Sequence, residues 1–519
     1  MNGSGTSDVT TDAAEAGRLS LAIEPRPIAA LPADVLHRID RLAAEIRASD
    51  PRIGDLSRFG AGVRKGIGAG PCVWFGDTAE IPLLADNPGK RFDYRLGWLA
   101  QDRDVVVIGG PRSRAFEDYQ RRHLGAPDIR YLNVDPGAGA PRRATPAICL
   151  RDPAAFGGLC DALVDQGDAT LHAHITTGTI WALAARLNQA SGTDVFVAGS
   201  PPLMSRRAND KIWFGSVAQR LLGTGATSPK RTAHSLSALT RHLAALARKW
   251  DLLVVKVPNS AGSAGNFLFR SEDIRALSHA ALYRCLIRDL SINGRAPVFP
   301  MLVEVWDADV RTSPSVQTWI PDPADGPPII EELFEQVLHG DQAAFAGTVP
   351  CSLAASVQEK LTQGALQLAT LFQQLGYFGR CSFDALVIGA NGGLSAIHWI
   401  ECNGRWGGAS IPMSLMRRLS GAAARPHYVV LQHDDDGFRA LDFADALREF
   451  ADVAPPPDLR SGILFLSPNM METGSGCHFL AFGSDMEAAQ ELARRTVRRL
   501  RKPSTQSGDD AAARQALTV

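Results

Sequence analysis

The order of its apolar runs predicts a multidomain chain that mixes α/β and α+β units. From Asp104 to Val197 short apolar strands alternate with amphipathic helices, the spacing of a doubly wound layer. From Asp210 onward strands and helices mix less regularly and lead into a hairpin pattern at 382–402. A smaller α/β-patterned stretch follows residue 426. The length of 519 residues leaves room for about three units of ordinary domain size.

Composition narrows the function classes. A hydrophobic fraction of 45% supplies ample core, and 54 basic against 55 acidic residues give a net charge of −1. No overall field therefore draws the chain to nucleic acid or to an anionic membrane, and neither is expected as a partner. No apolar run approaches the length of a transmembrane helix, and the first 20 residues lack the apolar core of a secretory signal. The eight cysteines form no Cys-x-x-Cys pair, which argues against a disulfide framework or a zinc ribbon. A cytoplasmic enzyme is the expectation. Only eight of the basic residues are lysines, at 65, 90, 211, 230, 249, 256, 360 and 502, so each lysine invites a reason.

The elements follow in chain order. Residues 1–30 are polar and then Pro-punctuated and read as disordered. Leu36, Ile39, Leu42 and Ile46 set one face of a helix over 34–48. The stretch 50–100, rich in Gly and Pro, resists assignment. Strands at 105–108, 129–134, 169–175 and 195–197 alternate with helices at 113–124, 154–164 and 179–188; such sheets bind ligands at the carboxyl ends of their strands. After the joint Ser200-Pro201-Pro202, helices are expected at 210–222 and 235–250, a strand at 252–257, a helix at 272–290 and strands at 299–306 and 315–320. Leu361, Ala365, Leu368, Phe372 and Leu375 mark an amphipathic helix that Gly376 stops. Strands 382–388 and 394–402 flank the turn Gly389–Gly393. Residues 503–519 read as disordered.

Three segments could carry chemistry. In the first, an apolar strand ends on Lys256 and runs into a loop of small residues, Asn259 to Gly265. Backbone N–H groups of such a loop, including Ser260, Gly262, Ser263 and Gly265, can close over phosphates while the lysine supplies a point charge. The plain alternative is a strand end with a solvent-facing lysine. In the second, Phe383-Asp384 lies on one hairpin strand and Ile400-Glu401-Cys402-Asn403-Gly404-Arg405-Trp406-Gly407-Gly408 ends the other. Residues two apart share a strand face, so Glu401 and Asn403 project together and Asp384 can join them. Two carboxylates and an amide oxygen suit a hard Mg²⁺ ion whose shell substrate phosphates complete, and Arg405 offers a fork of donors to phosphoryl oxygens. The alternative is a polar strand end at the surface. In the third, Met301 to Trp306 forms an apolar strand ending among polar residues. Its backbone at Glu304, Val305 and Trp306 could meet a base edge, or it is an ordinary core strand.

In this order the segments resemble the ATP-grasp superfamily: a strand lysine, a small-residue loop, a Glu-x-Trp hinge, a Phe-Asp strand and a terminal Ile-Glu-x-Asn-x-Arg. Asn209-Asp210-Lys211 at a helix start looks like the superfamily's earlier nucleotide-binding lysine. The Glu401–Gly408 ending and the trailing unit resemble the branch that holds the peptide ligase of pheganomycin-type biosynthesis. The resemblance implies a Rossmann-like pre-grasp domain at 31–200, an ATP-grasp fold at 201–426 and a small C-terminal α/β domain at 427–502, which would cap the site or form a dimer surface. It implies that Lys211 and Lys256 hold ATP phosphates under the loop 259–265, that backbone at 304–306 binds adenine, that Asp384, Glu401 and Asn403 bind Mg²⁺ (two ions), and that Arg405 and Lys256 are catalytic.

The activity so implied is an ATP-dependent carboxylate–amine ligase. It would join an amino acid or other carboxylic acid to an amine-bearing amino acid or peptide through an acylphosphate. A kinase for a small-molecule hydroxyl and a non-catalytic ATP-binding module are the rivals. Two departures stand out: the loop has only two glycines, and no clear carboxylate follows the hinge for the ribose hydroxyls beyond Asp309. Arg112, Arg114, His172 and His174 are candidates for substrate contact. Cys402, whose side chain should face away from its neighbours, reads as a packing thiol, and Asp434–Asp436 as a solvated loop. Gly109-Gly110 lacks the remaining glycines of a dinucleotide fingerprint.

Overall fold

The computed structural model describes residues 21–84, 91–134, 143–164, 166–262, 265–291, 296–339, 344–389, 396–421, 425–435 and 437–502. Three sheets organise them. The first is wholly parallel and contains β1 (Val63–Lys65), β2 (Cys72–Phe75), β3 (Val105–Ile108), β4 (Arg130–Asn133), β5 (Ala169–Ala173) and β6 (Val195–Val197). Its order is β1-β6-β5-β2-β3-β4. The chain builds outward from β2 through β3 to β4 and then returns to β5 on the other side of β2. Strand order therefore reverses between β2 and β5, the place where such sheets open a crevice at the carboxyl ends of their strands. Val73, Val105, Val107, Leu171 and Val197 are buried between helices, as the continuous apolar runs require.

The second sheet is antiparallel, in the order β7-β10-β8-β9, from β7 (Lys230–Ala233), β8 (Leu252–Lys256), β9 (Asn266–Arg270) and β10 (Met301–Val305). The third is larger: β11 (Val310–Thr312), β12 (Pro314–Ile320), β13 (Ile329–His339), β14 (Ala344–Pro350), β15 (Gly379–Ile388), β16 (Ala396–Asn403), β17 (His427–His433), β18 (Gly462–Phe465) and β19 (Cys477–Gly483). Here β15 pairs with β16 on one side and with β11 and β12 on the other, and the sheet runs on through β13, β14, β17 and β19 to β18. The helix Ala355–Gln374 packs on this sheet, burying Leu361, Ala365, Leu368 and Phe372 as its periodicity predicts.

Several elements depart from expectation. Residues 21–30 are not loose: Leu21 is buried, and the Arg26 amide donates to the Ile330 carbonyl at 2.8 Å. The helix Ala33–Ser49 packs not on the parallel sheet but in the core of the third sheet, where Ile39, Leu42 and Ile46 meet Leu361 and Phe372. The helix expected over 272–290 is two, Ser271–Ala276 and His279–Asp289, because Ser278 caps the second by accepting from the Ala281 amide. Residues 390–395 of the hairpin turn and the tail 503–519 lie outside the described residues, as do residues 1–20.

The C-terminal stretch is no separate lobe. Strand β17 pairs with β14 through Gly347↔Leu431 and Thr348↔Val430, so β17, β19 and β18 extend the large sheet. It also locks onto the parallel-sheet unit: Trp98 Nε1 donates to the Leu466 carbonyl at 3.2 Å, and Phe116 meets Phe443 with centroids 4.8 Å apart. All eight cysteines are free thiols. Among the described residues no helix is long and apolar enough to cross a membrane.

Candidate active site

The β15–β16 pairing sets Asp384 directly opposite Glu401 and Ser382 opposite Asn403, with a register shift just beyond Asp384. Cross-strand partners share a face, so all four polar side chains converge. Asn403 Nδ2 donates to Asp384 Oδ2 at 2.8 Å and to Glu401 Oε1 at 3.3 Å. From the other flank of β15, Ser315 Oγ donates to Asp384 Oδ1 at 2.6 Å. Burial, and then the charge of Glu401, pushes the Asp384 carboxyl up to about 7. Burial works the same way on Glu401, yet the Lys211 ammonium beside it, with help from Arg405, leaves that carboxyl below its ordinary range. Cys402 points away between them and is buried in the core, where burial raises its thiol; it is a packing residue.

Each residue of Asn209-Asp210-Lys211 has a separate task. Asp210 caps the helix Lys211–Leu222 by accepting from the Ile212 and Trp213 amides. Asn209 Oδ1 accepts from the Gly404 amide at 3.1 Å and from Arg405 Nη1, so it aims the Arg405 guanidinium. Gly404 must be glycine for this approach, since a Cβ there would meet Ala208 Cβ at 2.8 Å and Asn209 Nδ2 at 3.0 Å. Lys211 Nζ lies 2.8 Å from Glu401 Oε2 and donates to the Ser260 carbonyl at 2.7 Å, so the lysine ties the small-residue loop to the hairpin. The loop is pinched where the Val257 amide donates to the Gly265 carbonyl at 2.9 Å, and Gly262 sits at φ +60°, a left-handed turn suited to glycine. Ser263 lies outside the described residues.

Lys256 turns to a neighbour on its own sheet: its Nζ is 2.5 Å from Glu304 Oε2, and both side chains are buried. Lys230, on the other side of β10, feels the charge of both. Burial lowers its ammonium, Glu304 opposes that, and Lys256 adds to it. Sequence reasoning passed over Lys230, although the scarcity of lysine was a signal that pointed to it. The hinge amides differ from expectation: Val305 N–H donates to the Pro229 carbonyl and Trp306 N–H to the Leu252 carbonyl, so both are engaged within the sheet. The carboxylate that follows the strand is Asp307 rather than Asp309, and it is held by Ser228 Oγ and by His398 Nδ1 at 3.0 Å.

The hairpin face opens onto a cavity of about 250 Å³. Asp384, Glu401, Asn403 and Arg405 form one wall, and Ala261 and Gly262 reach it from the loop. Thr78 and His174, just past the carboxyl ends of β2 and β5, line it at the strand-order reversal. Arg95 and the segment Gln432–Asp435 complete it. The C-terminal stretch thus helps to line the site: Asp434, exposed as expected, and the half-buried Asp435 stand at the cavity wall, while Asp436 lies outside the described residues. Of the four residues considered for substrate contact, only His174 reaches the cavity. Arg112 pairs with Glu117 at 2.8 Å, Arg114 is exposed, and His172 stacks on Trp74 with centroids 4.1 Å apart. Arg95, Gln317, Gln336 and Gln432 also line the cavity, and nothing in their local sequence marks them.

Residues 93–189 match the Pre ATP-grasp domain family. Among solved structures, the ADP complex of purK, an N5-carboxyaminoimidazole ribonucleotide synthetase, shares the fold with a TM-score of 0.50 at 11% identity, over 83% of this chain and 97% of that one. The N5-carboxyaminoimidazole ribonucleotide synthetase of Thermus thermophilus aligns with a TM-score of 0.47 at 14% identity, over 84% and 99%. The biotin carboxylase domain of Hydrogenobacter thermophilus 2-oxoglutarate carboxylase aligns at 0.49 and 14%, over 84% and 90%. No sequence among the curated proteins matches this chain.

Proposed function

We propose that this chain, in which a pre-ATP-grasp domain precedes an ATP-grasp fold, is an ATP- and Mg²⁺-dependent carboxylate–amine ligase. The observation that carries the reading is the Asp384–Glu401–Asn403–Arg405 face opening onto a cavity of about 250 Å³. The face also fits a divalent cation. Asp384 and Glu401 offer carboxylate oxygens, the amide of Asn403 would turn its oxygen to a cation in place of the Nδ2 that now bridges them, and Asp384 is pushed up to about 7 by burial and by the charge of Glu401. Asp384, Glu401 and Asn403 would hold Mg²⁺, which when bound supplies charge neutralisation for the ATP phosphates.

A carboxylate resists attack by an amine because its leaving group would be oxide. Transfer of the γ-phosphoryl group to a carboxylate oxygen releases ADP and gives an acylphosphate. The amine nitrogen then attacks the acyl carbon, the C–O bond to phosphate breaks, and the nitrogen loses a proton as the amide forms. Lys211 and Lys256 would bind the phosphates, exchanging their present carboxylate partners for phosphoryl oxygens. Arg405, aimed by Asn209, would steady the charge that develops on phosphoryl and tetrahedral oxygens. Ala261 and Gly262 of the loop and the wall at 432–435 would exclude water once the substrates are bound, water to which an acylphosphate would otherwise be lost. The Glu401–Gly408 motif supports a peptide-forming member, with an amino acid or related acid and an amino acid or peptide as substrates.

The test is ADP release by the protein with Mg²⁺-ATP and pooled amino acids and short peptides, with products followed by mass. A product one water lighter than acid plus amine is expected. A substrate heavier by a phosphate with no amide formed would make the protein a kinase instead. ATP binding without turnover under every pool would leave only a nucleotide-binding module.

A further inference from the structure

Buried guanidinium groups need a counter-charge, since an uncompensated one is costly. This protein supplies it elsewhere. Arg380 and Arg417, both buried, pair with Glu331. Arg95 breaks the pattern. It is 4% exposed, lines the cavity and has no carboxylate partner among the described residues. Its Nη1 donates to the neutral amide of Gln432 at 3.3 Å, its Nε has no partner, and its plane lies 4.3 Å over the Phe92 ring. Of the acids near it in sequence or beside Gln432 on the same wall, Asp93 accepts from the Gly109 amide at 3.1 Å, Asp435 pairs with Arg501 at 3.2 Å, and Asp434 is exposed and does not pair with Arg95.

The groups that touch Arg95, Gln432 and Phe92, add no negative charge. His174 Nδ1, also in the cavity and also buried, has no partner. Burial, with Arg95 and Arg405 beside it, holds that imidazole neutral. Burial and Arg405 together lower Arg95 itself to about 9, so it remains charged near neutral pH. Arg405, the other guanidinium of the cavity, is already matched to Asn209 and to the charges of Glu401 and Asp384.

We propose that Arg95 binds a substrate carboxylate that takes no part in bond formation, with His174 Nδ1 as a second donor. One fork beside neutral groups matches a singly charged carboxylate better than a phosphate, and phosphates have Lys211 and Lys256. The proposal rests on the ligase reading and adds the feature that sets its substrate class. One substrate must carry a free carboxylate besides the carboxyl that reacts. It comes either from the amine-bearing partner, an amino acid or peptide with its C-terminus free, or from a donor with two carboxyl groups.

Thermal shift in the presence of Mg²⁺-ADP tests this without requiring turnover. The probes are the twenty amino acids and alanine-initiated dipeptides as free acids, the same compounds as carboxamides, and succinate and glutarate. Free acids should raise the melting temperature of the wild type and of Glu401→Gln, carboxamides should not, and Arg95→Met should lose the response. The Mg²⁺-ADP shift of Arg95→Met shows that it folds, and Arg95→Lys serves if it does not. A response confined to succinate or glutarate assigns the carboxylate to the donor. Where turnover is found, the preference for acid over carboxamide should be about 100-fold and should collapse in Arg95→Met. Equal response to acids and carboxamides, a full response in Arg95→Met, or no response to any acid overturns the subsite. The nucleotide arm stands apart: absence of any Mg²⁺-ADP or Mg²⁺-ATP shift in the wild type would count against the ligase reading itself.

Discussion

Two buried clusters of charge on the third sheet resemble one another in composition and differ in what they are for. At the first, Glu331 of β13 sits between Arg380 of β15 and Arg417 of the helix Ser410–Ser420, all three buried. At the second, Asp384 and Glu401 share Asn403, Lys211 and Arg405 and face the cavity. The first does not face the cavity, and its two guanidinium groups are met by Glu331 and, at Arg417, by Glu332 at 3.7 Å and Glu24 at 3.8 Å. The second leaves Asp384 raised to about 7 by burial and by Glu401, a mark of charge not fully answered. A sealed ionic cluster holds strands in place, while an open one waits for a ligand to finish it.

Exchanging the charges one at a time should separate the two roles. Glu401→Gln is expected to lower turnover by about 10³-fold, because it removes charge where phosphoryl transfer needs a metal ligand. Its urea midpoint should stay near that of the wild type, since relief of the repulsion between Asp384 and Glu401 offsets the lost pairing with Lys211 and the glutamine can still meet Asn403. Glu331→Gln should do the reverse, costing about 3 to 5 kcal/mol of stability by leaving two buried guanidinium groups short of a partner. Its ADP release per folded molecule should be unchanged. Urea unfolding beside steady-state ADP release reads both; normal turnover in Glu401→Gln would remove the metal assignment, and a large loss in folded Glu331→Gln would erase the distinction.

Asn209 offers a finer cut, because it touches no carboxylate of the open cluster and acts on it through Arg405 and the Gly404 backbone. Asn209→Ala should reduce kcat by about 10- to 100-fold with a small change in the KM for ATP, as a guanidinium freed from its aim still carries its charge. Asn209→Asp should restore part of the loss by accepting the same bonds. A fall confined to KM would show that Asn209 serves nucleotide binding rather than Arg405.

The same contrast explains what the sequence made legible. The open cluster was readable because Glu401 and Asn403 lie two residues apart on one strand, and Asp384 falls on the preceding strand of one hairpin. Lys256 announced itself by ending an apolar strand before small residues, but its contact with Glu304 did not. Strand β13 was invisible for the opposite reason: Ile329–His339 carries Glu331, Glu332, Glu335 and Gln336, which read as exposed. Glu331 is tolerable inside only because Arg380 and Arg417 arrive from much later in the chain, and Glu335 because Thr312 and Ser352 donate to it at 2.6 and 2.9 Å. Arg95 escaped in the same way. It lies in a 3₁₀ turn within a Gly- and Pro-rich stretch, and its place on the cavity depends on Gln432, on a strand of the C-terminal unit.

A third cluster lies between the two extremes and supplies the smallest effect. Lys256 and Lys230 flank Glu304, one anion for two cations, so the cluster is partly sealed yet keeps a surplus of positive charge, which on the ligase reading an ATP phosphate would meet. Room for Lys230 depends on Gly215 in the helix Lys211–Leu222, since a Cβ there would meet Lys230 Nζ at 1.8 Å. The contact is with the end of a flexible side chain, so the helix need not move; the ammonium must. In Gly215→Ala the helix gains about 1 kcal/mol of intrinsic propensity, offset by the burial of an ammonium turned from its site. Stability should therefore change little, while the KM for ATP rises about threefold, the loss of one screened charge contact. Lys230→Met should raise that KM by the same factor, and the double variant by no more than either alone, because both act on one ammonium. Additive increases would show that Gly215 supports the helix rather than the lysine, and would place Lys230 with the sealed cluster.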